Sequence, residues 1–215
     1  RDQFTEDADR LVVDDREQYE RILDLLEAYS PELKSRVHLH RRNAAGSAFE
    51  AYDLDREIEL ALRRKVWLRS GGYLVIDQTE AFCIIDVNTG KFVGETSLED
   101  TVLRTNLEAA VEIARQLRLR DIGGIIVIDF IDMEKVSHRQ KVLAALEDAL
   151  RRDRTRTTVL GFTQLGLVEM TRKKVRPGLE AQLQRPCPYC EGTGRVLSEE
   201  TVAARIRREI KRILR

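Results

Sequence analysis

The sequence predicts a layered α/β protein, and three observations carry that prediction. Two apolar runs end in an aspartate: IIDVNTG at Ile84–Gly90 and IIVIDFIDM at Ile125–Met133. Short runs rich in β-branched residues read as strands buried on both faces. Between and after them lie stretches with a 3.6-residue apolar period, and strands alternating with amphipathic helices build layered α/β domains. The third observation is a late C-x-x-C pair, Cys187 and Cys190, set among prolines and glycines.

Taken in order, Asp14–Tyr29 is a helix with Ile22, Leu25 and Leu26 on one face and an acidic first turn that suits the helix dipole. VHLHRR, residues 37–42, is a short strand with His38 and His40 on one side. No Cys follows at zinc-finger spacing, so exposed polar histidines are the better reading than a metal pair. Tyr52–Arg64 is a second helix with Ile58, Leu60, Ala61 and Leu62 as its apolar positions. GGYLVIDQTEAFCIIDVN then reads as a β-hairpin: strand Tyr73–Ile76, a turn around Asp77–Glu80, and strand Ala81–Val87. Cys83 within it is a buried small hydrophobe.

Helix Leu98–Leu119 places Leu103, Leu107, Ala110, Val111, Ala114 and Leu117 on one face. Strand Ile125–Asp129 follows, then helix Glu134–Arg152 with Val136, Leu143, Leu146 and Leu150, then strand Thr157–Phe162. Gly161–Lys174 is a loop and a further strand or hairpin. Val175–Arg185, carrying Pro177 and Gly178, is a linker, and Ser198–Arg215 is a basic helix capped at Ser198.

A chain of 215 residues holds one large domain or two small ones. With 42% hydrophobic and 34% charged residues it reads as soluble and globular. No apolar run approaches the roughly 20 residues of a membrane span, and the start resembles no signal peptide. Three cysteines argue against a disulfide framework and for a reducing, cytoplasmic setting. The chain opens with RDQF rather than Met, as a fragment does. Its zero formal charge hides an asymmetry: residues 1–62 hold 16 acidic against 9 basic side chains, so the remainder is net positive. A basic C-terminal part is compatible with a polyanionic partner.

Singly, Asp86 and Asp129 read as turn formers or caps. As a pair at the ends of two strands they repel unless a cation lies between them. With the amide of Asn88 they make an oxygen-rich site for a hard divalent ion such as Mg²⁺. The chemistry such a site supports is phosphodiester hydrolysis, with Asp132 and Glu80 as reserve candidates. Residue types alone leave RNA, DNA and nucleotides open as substrates. Two basic clusters are expected on either side of this rim, Arg151, Arg152, Arg154 and Arg156, then Arg172, Lys173, Lys174 and Arg176, and point to phosphate binding.

Cys187 and Cys190 lie in RPCPYCEGTGRV, where no helix begins, so structural Zn²⁺ is a better reading than a redox pair. Such a site needs four ligands. Cys83 or a histidine completes it, or a second copy does; two copies giving a pair each would make a symmetric dimer.

Four stretches, GGYLVIDQTEAFCIIDVNTGKFVG, TNLEAAVEIARQLRLRDIGGIIVIDFIDM, GLVEMTRKKVRPGL and CPYCEGTGRV, closely resemble the ribonuclease E/G family of bacterial endoribonucleases. They cover about Gly71 to Val196, and IDVNTG and LVEMTRKK look more like the G branch than the E branch. The resemblance implies part of an RNase H-like subdomain (1–70), a DNase I-like catalytic subdomain (71–184), a zinc link (185–196) and the start of a small dimerisation domain (197–215). It implies that Asp86 and Asp129 bind catalytic Mg²⁺ with Asn88 in support, and that Arg154 and Arg156 match basic RNA-contacting positions. It further implies that Cys187 and Cys190 share one Zn²⁺ with a partner chain, in a homodimer with tetramer formation left open. Family members cut single-stranded, A/U-rich RNA in maturation and decay, leaving 5′-phosphate ends. The family's N-terminal OB-fold RNA-binding domain and its pocket for an RNA 5′-monophosphate have no counterpart here, and RDQF resembles the point where the chain resumes after them.

The competing reading is a zinc-dependent RNA-binding or assembly scaffold without catalysis. CPYCEGTGRV also resembles one unit of the cysteine-rich domain of DnaJ-type chaperones, but that domain repeats the unit and this chain has it once. A scaffold has no need of Asp86 and Asp129.

Overall fold

The computed structural model describes residues 4, 8–41, 46–79, 81–90 and 98–214. In its first part a parallel pair, β1 (Leu11–Val13) on β2 (Val37–Leu39), is connected by α1 (Arg16–Tyr29) and a 3₁₀ turn at Pro31–Arg36. The acidic start of α1 acts as a cap: the Asp15 carboxylate accepts the Gln18 N–H at 2.7 Å. His38 is exposed, and the His40 ring Nε2 lies 3.2 Å from the Gly46 carbonyl. The helix expected over Tyr52–Arg64 is instead two pieces, α2 (Ala48–Ala51) and α3 (Leu54–Ala61). A Ser47–Glu50 capping box opens the first, and Asp53, at φ 51°, breaks the chain before the second.

Six strands form the main sheet in the order β3 (Lys65–Trp67), β4 (Tyr73–Gln78), β5 (Phe82–Asn88), β6 (Gly124–Asp129), β8 (Val168–Arg172) and β7 (Thr157–Phe162). Within this sheet only β5 and β6 pair in parallel, and their crossover is α4 (Leu98–Leu119). The other pairings are antiparallel, with α5 (Val136–Leu150) leading from β6 to β7. The β4–β5 hairpin, α4, β6, α5 and β7 all lie within a residue or two of their predicted places. Gly161–Lys174 forms the rest of a β7–β8 hairpin, with a bulge at Val159/Gly161.

One expectation is corrected. Ile84 and Ile125 do not lie in strands buried on both faces; they are 45% and 44% exposed. Leu74, Ile85, Ile126, Ile128 and Met170 join one core with α4 and α5, which pack on the same side of the sheet. β5 therefore alternates, with Cys83, Ile85 and Val87 buried and Phe82, Ile84 and Asp86 exposed, the one-sided pattern of antiparallel sheets. The helix faces are largely as expected: Ala110, Ala114 and Leu117 on α4 and Leu146 and Leu150 on α5 are buried, and Leu103, Leu107 and Leu143 pack against the core. Val111 and Val136 are the exceptions, exposed where Ala109, Ile113 and Val142 are buried instead.

The segment Val175–Arg185 is not a bare linker. It holds a short helix, α6 (Leu179–Leu183), docked by the Leu179 N–H donating to the Arg120 carbonyl at 2.8 Å. The last helix, α7 (Glu199–Ile213), starts as predicted, with the Ser198 hydroxyl accepting the Thr201 N–H at 3.3 Å. Among the described residues no helix is long and apolar enough to cross a membrane.

Candidate active site

Strand register brings the two carboxylates together. In the parallel β5–β6 pair Asp86 is the Cα partner of Asp129, one strand spacing away, about 4.8 Å. Both are exposed on the sheet face away from the helices. Asn88, two residues on and therefore on the same face, donates from Nδ2 to Asp86 Oδ2 at 2.8 Å. Partial burial, and then the charges of Asp86 and Asp132, hold the Asp129 carboxyl above its ordinary range.

This donor set suits a hard divalent ion. It offers carboxylate and amide oxygens without nitrogen or sulfur, and Mg²⁺ takes one or two protein carboxylates while keeping several waters. Among the described residues no group of three or more His, Cys, Asp or Glu converges on a metal position. Of the reserve candidates, Asp132 is exposed beyond β6 and Glu80 lies outside the described residues.

Two residues that sequence reasoning passed over support this corner from α4. Asn106 is fully buried; its Nδ2 donates to the Ile131 carbonyl at 2.8 Å, and its Oδ1 accepts the Ile131 N–H at 3.1 Å. It thereby clamps the turn between Asp129 and Asp132. Glu108 accepts the Arg69 and Ser70 N–H groups at 2.6 and 3.1 Å, holding the β3–β4 turn. The available signal was weak, because Thr101, Thr105 and Gln116 are polar residues buried on the same helix as Asn106. Glycine is required where that turn meets the end of β5: Gly90 has φ +65°, and a Cβ on it would lie 2.5 Å from the Gly71 carbonyl oxygen.

The basic residues are placed differently from expectation. β6 runs from Gly124, the partner of Arg172, to Asp129, and the Lys173 N–H donates to the Arg156 carbonyl at 2.9 Å. The clusters around Arg154, Arg156, Lys173 and Lys174 thus lie at the far end of the sheet, roughly 17 Å along the strands from the carboxylates, and do not flank them. These four are exposed. Arg172 is not: it is 4% exposed, with Nε 2.8 Å from Asp153 Oδ2 and Nη1 2.9 Å from Asp121 Oδ1. Its guanidinium is committed to the interior, so the expected RNA contact at Arg172 is corrected to an ion-pair hub. Burial pushes the Asp121 carboxyl up, but Arg176 and Arg172 more than offset this and hold it low.

Cys187 and Cys190 form a knuckle, with Glu191 and Gly192 at φ 51° and 84° turning the chain after them. The N–H groups of Cys190 and Tyr189, and the Cys190 side chain, hold the Cys187 thiol below its ordinary range. A low thiol pKa favours the thiolate that zinc requires. Cys83 belongs to the sheet core, where burial pushes its thiol up to about 11. Neither it nor any described His, Asp or Glu joins the pair in a group of three.

A model of the "Ribonuclease E/G family" matches residues 1–175. The chain belongs to the ribonuclease E/G family. It is 51% identical over 213 residues to ribonuclease G of Escherichia coli K12, covering 99% of this chain and 43% of that protein. Ribonuclease G of Haemophilus influenzae is 46% identical over 213 residues, with 99% and 43% covered. Ribonuclease E of the same organism is 39% identical over 208 residues, with 97% and 22% covered. The chain therefore spans less than half the length of the ribonuclease G relatives it matches.

Proposed function

We propose that this chain carries the hydrolytic centre of a Mg²⁺-dependent endoribonuclease. It cuts single-stranded, A/U-rich RNA to 5′-phosphate and 3′-hydroxyl ends, in rRNA and tRNA maturation and mRNA decay, in the cytoplasm. The observation that carries the reading is the pairing of Asp86 with Asp129 on the open sheet face. When bound, Mg²⁺ supplies charge neutralisation at the scissile phosphate and readies a water for in-line attack. Asp86 and Asp129 would hold it, and the Asn88 amide fixes the orientation of Asp86. The exposed Arg154, Arg156, Lys173 and Lys174 would attract the RNA backbone away from the cutting point, a contribution that weakens as salt rises. Cys187 and Cys190 would share one Zn²⁺ with the same pair of a second copy, making a homodimer able to pair into a tetramer.

The test is cleavage of a short A/U-rich single strand, with Mg²⁺ or EDTA, by wild type, Asp86→Asn and Asp129→Asn of matched circular dichroism. Mg²⁺-dependent cutting should fall in both variants by more than the roughly 10–100-fold that loss of a supporting group costs. Cutting that persists in both variants overturns the carboxylate assignment. RNA binding with no cutting under any condition would favour the zinc-dependent scaffold instead.

A further inference from the structure

The open face carries an aromatic cluster that the carboxylate chemistry does not use. Trp67, the chain's only tryptophan, stands 64% exposed on the edge strand β3. Its ring meets Tyr73 edge-on at a centroid distance of 5.3 Å. Lys65 Nζ lies 4.0 Å from the Trp67 centroid and 3.4 Å from that of Tyr73. The Lys65 contact is attractive, but it leaves a large aromatic surface in water, and exposed apolar patches of this kind mark binding sites.

Register ties the cluster to the carboxylates. Trp67 pairs with Tyr73, and Tyr73 with Asn88. In the next row Lys65 pairs with Val75, Val75 with Asp86, and Asp86 with Asp129. Lys65 is thus two strand spacings, about 10 Å, from Asp86. An open cavity of about 750 Å³ joins Lys65, Trp67 and Tyr73 to Asn88, with Gly71 and Gly90 adding no side chain to its lining. An unstacked base on an aromatic ring, with a cation for the adjoining phosphate, is how single strands are held without sequence readout. A duplex has no unstacked base to offer.

We infer that Lys65, Trp67 and Tyr73 form a base-stacking subsite for the nucleotide next to the scissile phosphate. One base lies on the Trp67 face turned away from Lys65, and Lys65 Nζ meets the phosphate beside it. The subsite rests on the ribonuclease reading above, and it adds a structural reason for selecting single strands near the cut.

Trp67 reports on its own occupancy. In EDTA, a short A/U-rich RNA should quench its emission saturably, and making one nucleotide beside the cut abasic should abolish that quench. By anisotropy of labelled RNA, Trp67→Ala should weaken binding about tenfold, whereas Trp67→Phe should retain most of it. The phenylalanine variant also guards against a folding defect in the alanine one, as does matched circular dichroism. RNA that binds or is cut while tryptophan emission stays constant and Trp67→Ala binds normally overturns the subsite and leaves the nuclease reading standing. RNA that neither this chain nor one extended to the length of its ribonuclease G relatives binds or cuts overturns both.

Discussion

Asp129 is the residue whose energetics the site controls most directly. Its carboxyl is raised by partial burial and by the charges of Asp86 and Asp132. A raised folded-state value means the folded chain holds this proton more tightly than the unfolded chain does. The stabilising contribution is complete below the ordinary carboxylate range and is lost as pH rises through the raised value. In EDTA at pH 7, Asp129→Asn should therefore melt slightly higher than wild type, and the gap should close as pH falls below the ordinary carboxylate range. Mg²⁺ should raise the wild-type melting temperature and leave that of the variant nearly unchanged. Asn106 acts at the same scale through hydrogen bonds. Asn106→Leu strands the Ile131 N–H and carbonyl and should cost about 1–3 kcal/mol by denaturant titration. Cutting should fall with it, because the turn that carries Asp129 and Asp132 loosens.

At the scale of elements, the β6–β8 end opposite the carboxylates is fastened by Arg172. This side chain links Asp153 and Asp121 and also donates to the Ile122 carbonyl at 2.9 Å, tying the α5–β7 and α4–β6 loops to β8. Removing one partner of a buried ion pair leaves an uncompensated charge. Arg172→Met should lower stability by about 3–5 kcal/mol, read from the shift of a urea transition. Lys173→Ala, one position along and exposed, should leave that transition in place and instead reduce the salt dependence of RNA binding. LVEMTRKK reads as one basic cluster in sequence. Strand alternation divides it, because adjacent residues on β8 face opposite sides.

At the scale of the whole molecule, the sheet is covered on one face and open on the other. The open face leaves the carboxylate row exposed, with the aromatic row beside it. In the proposed zinc-linked dimer, assembly would depend on the C-terminal part of the chain. Cys187 and Cys190 supply two sulfurs, half of a structural zinc site. The double variant Cys187→Ser, Cys190→Ser should sediment as a smaller species than wild type, and a chelator should have the same effect on wild type. A dimer that survives both treatments would place the contact elsewhere, and the exposed apolar stripe Val202, Ile206, Ile210 and Ile213 on α7 is the next surface to mutate.

By itself the sequence determined most of the elements and where the candidate aspartates and the cysteine pair fall along them. The period of α4, the Ser198 cap, the β4–β5 hairpin and the aspartates ending two apolar runs are local patterns, set by backbone geometry within a few residues. The tertiary structure decided what meets what. The pairing of Asp86 with Asp129 depends on the register of strands separated by a whole crossover helix. The exposure of Ile84 and Ile125 depends on both helices choosing one face, which an apolar run such as Ile84–Ile85 does not encode. The burial of Arg172, the distance of the basic clusters from the carboxylates and the meeting of Lys65, Trp67 and Tyr73 follow from the same cause. Local patterns are fixed by neighbours along the chain, whereas packing and register are fixed by residues distant in sequence.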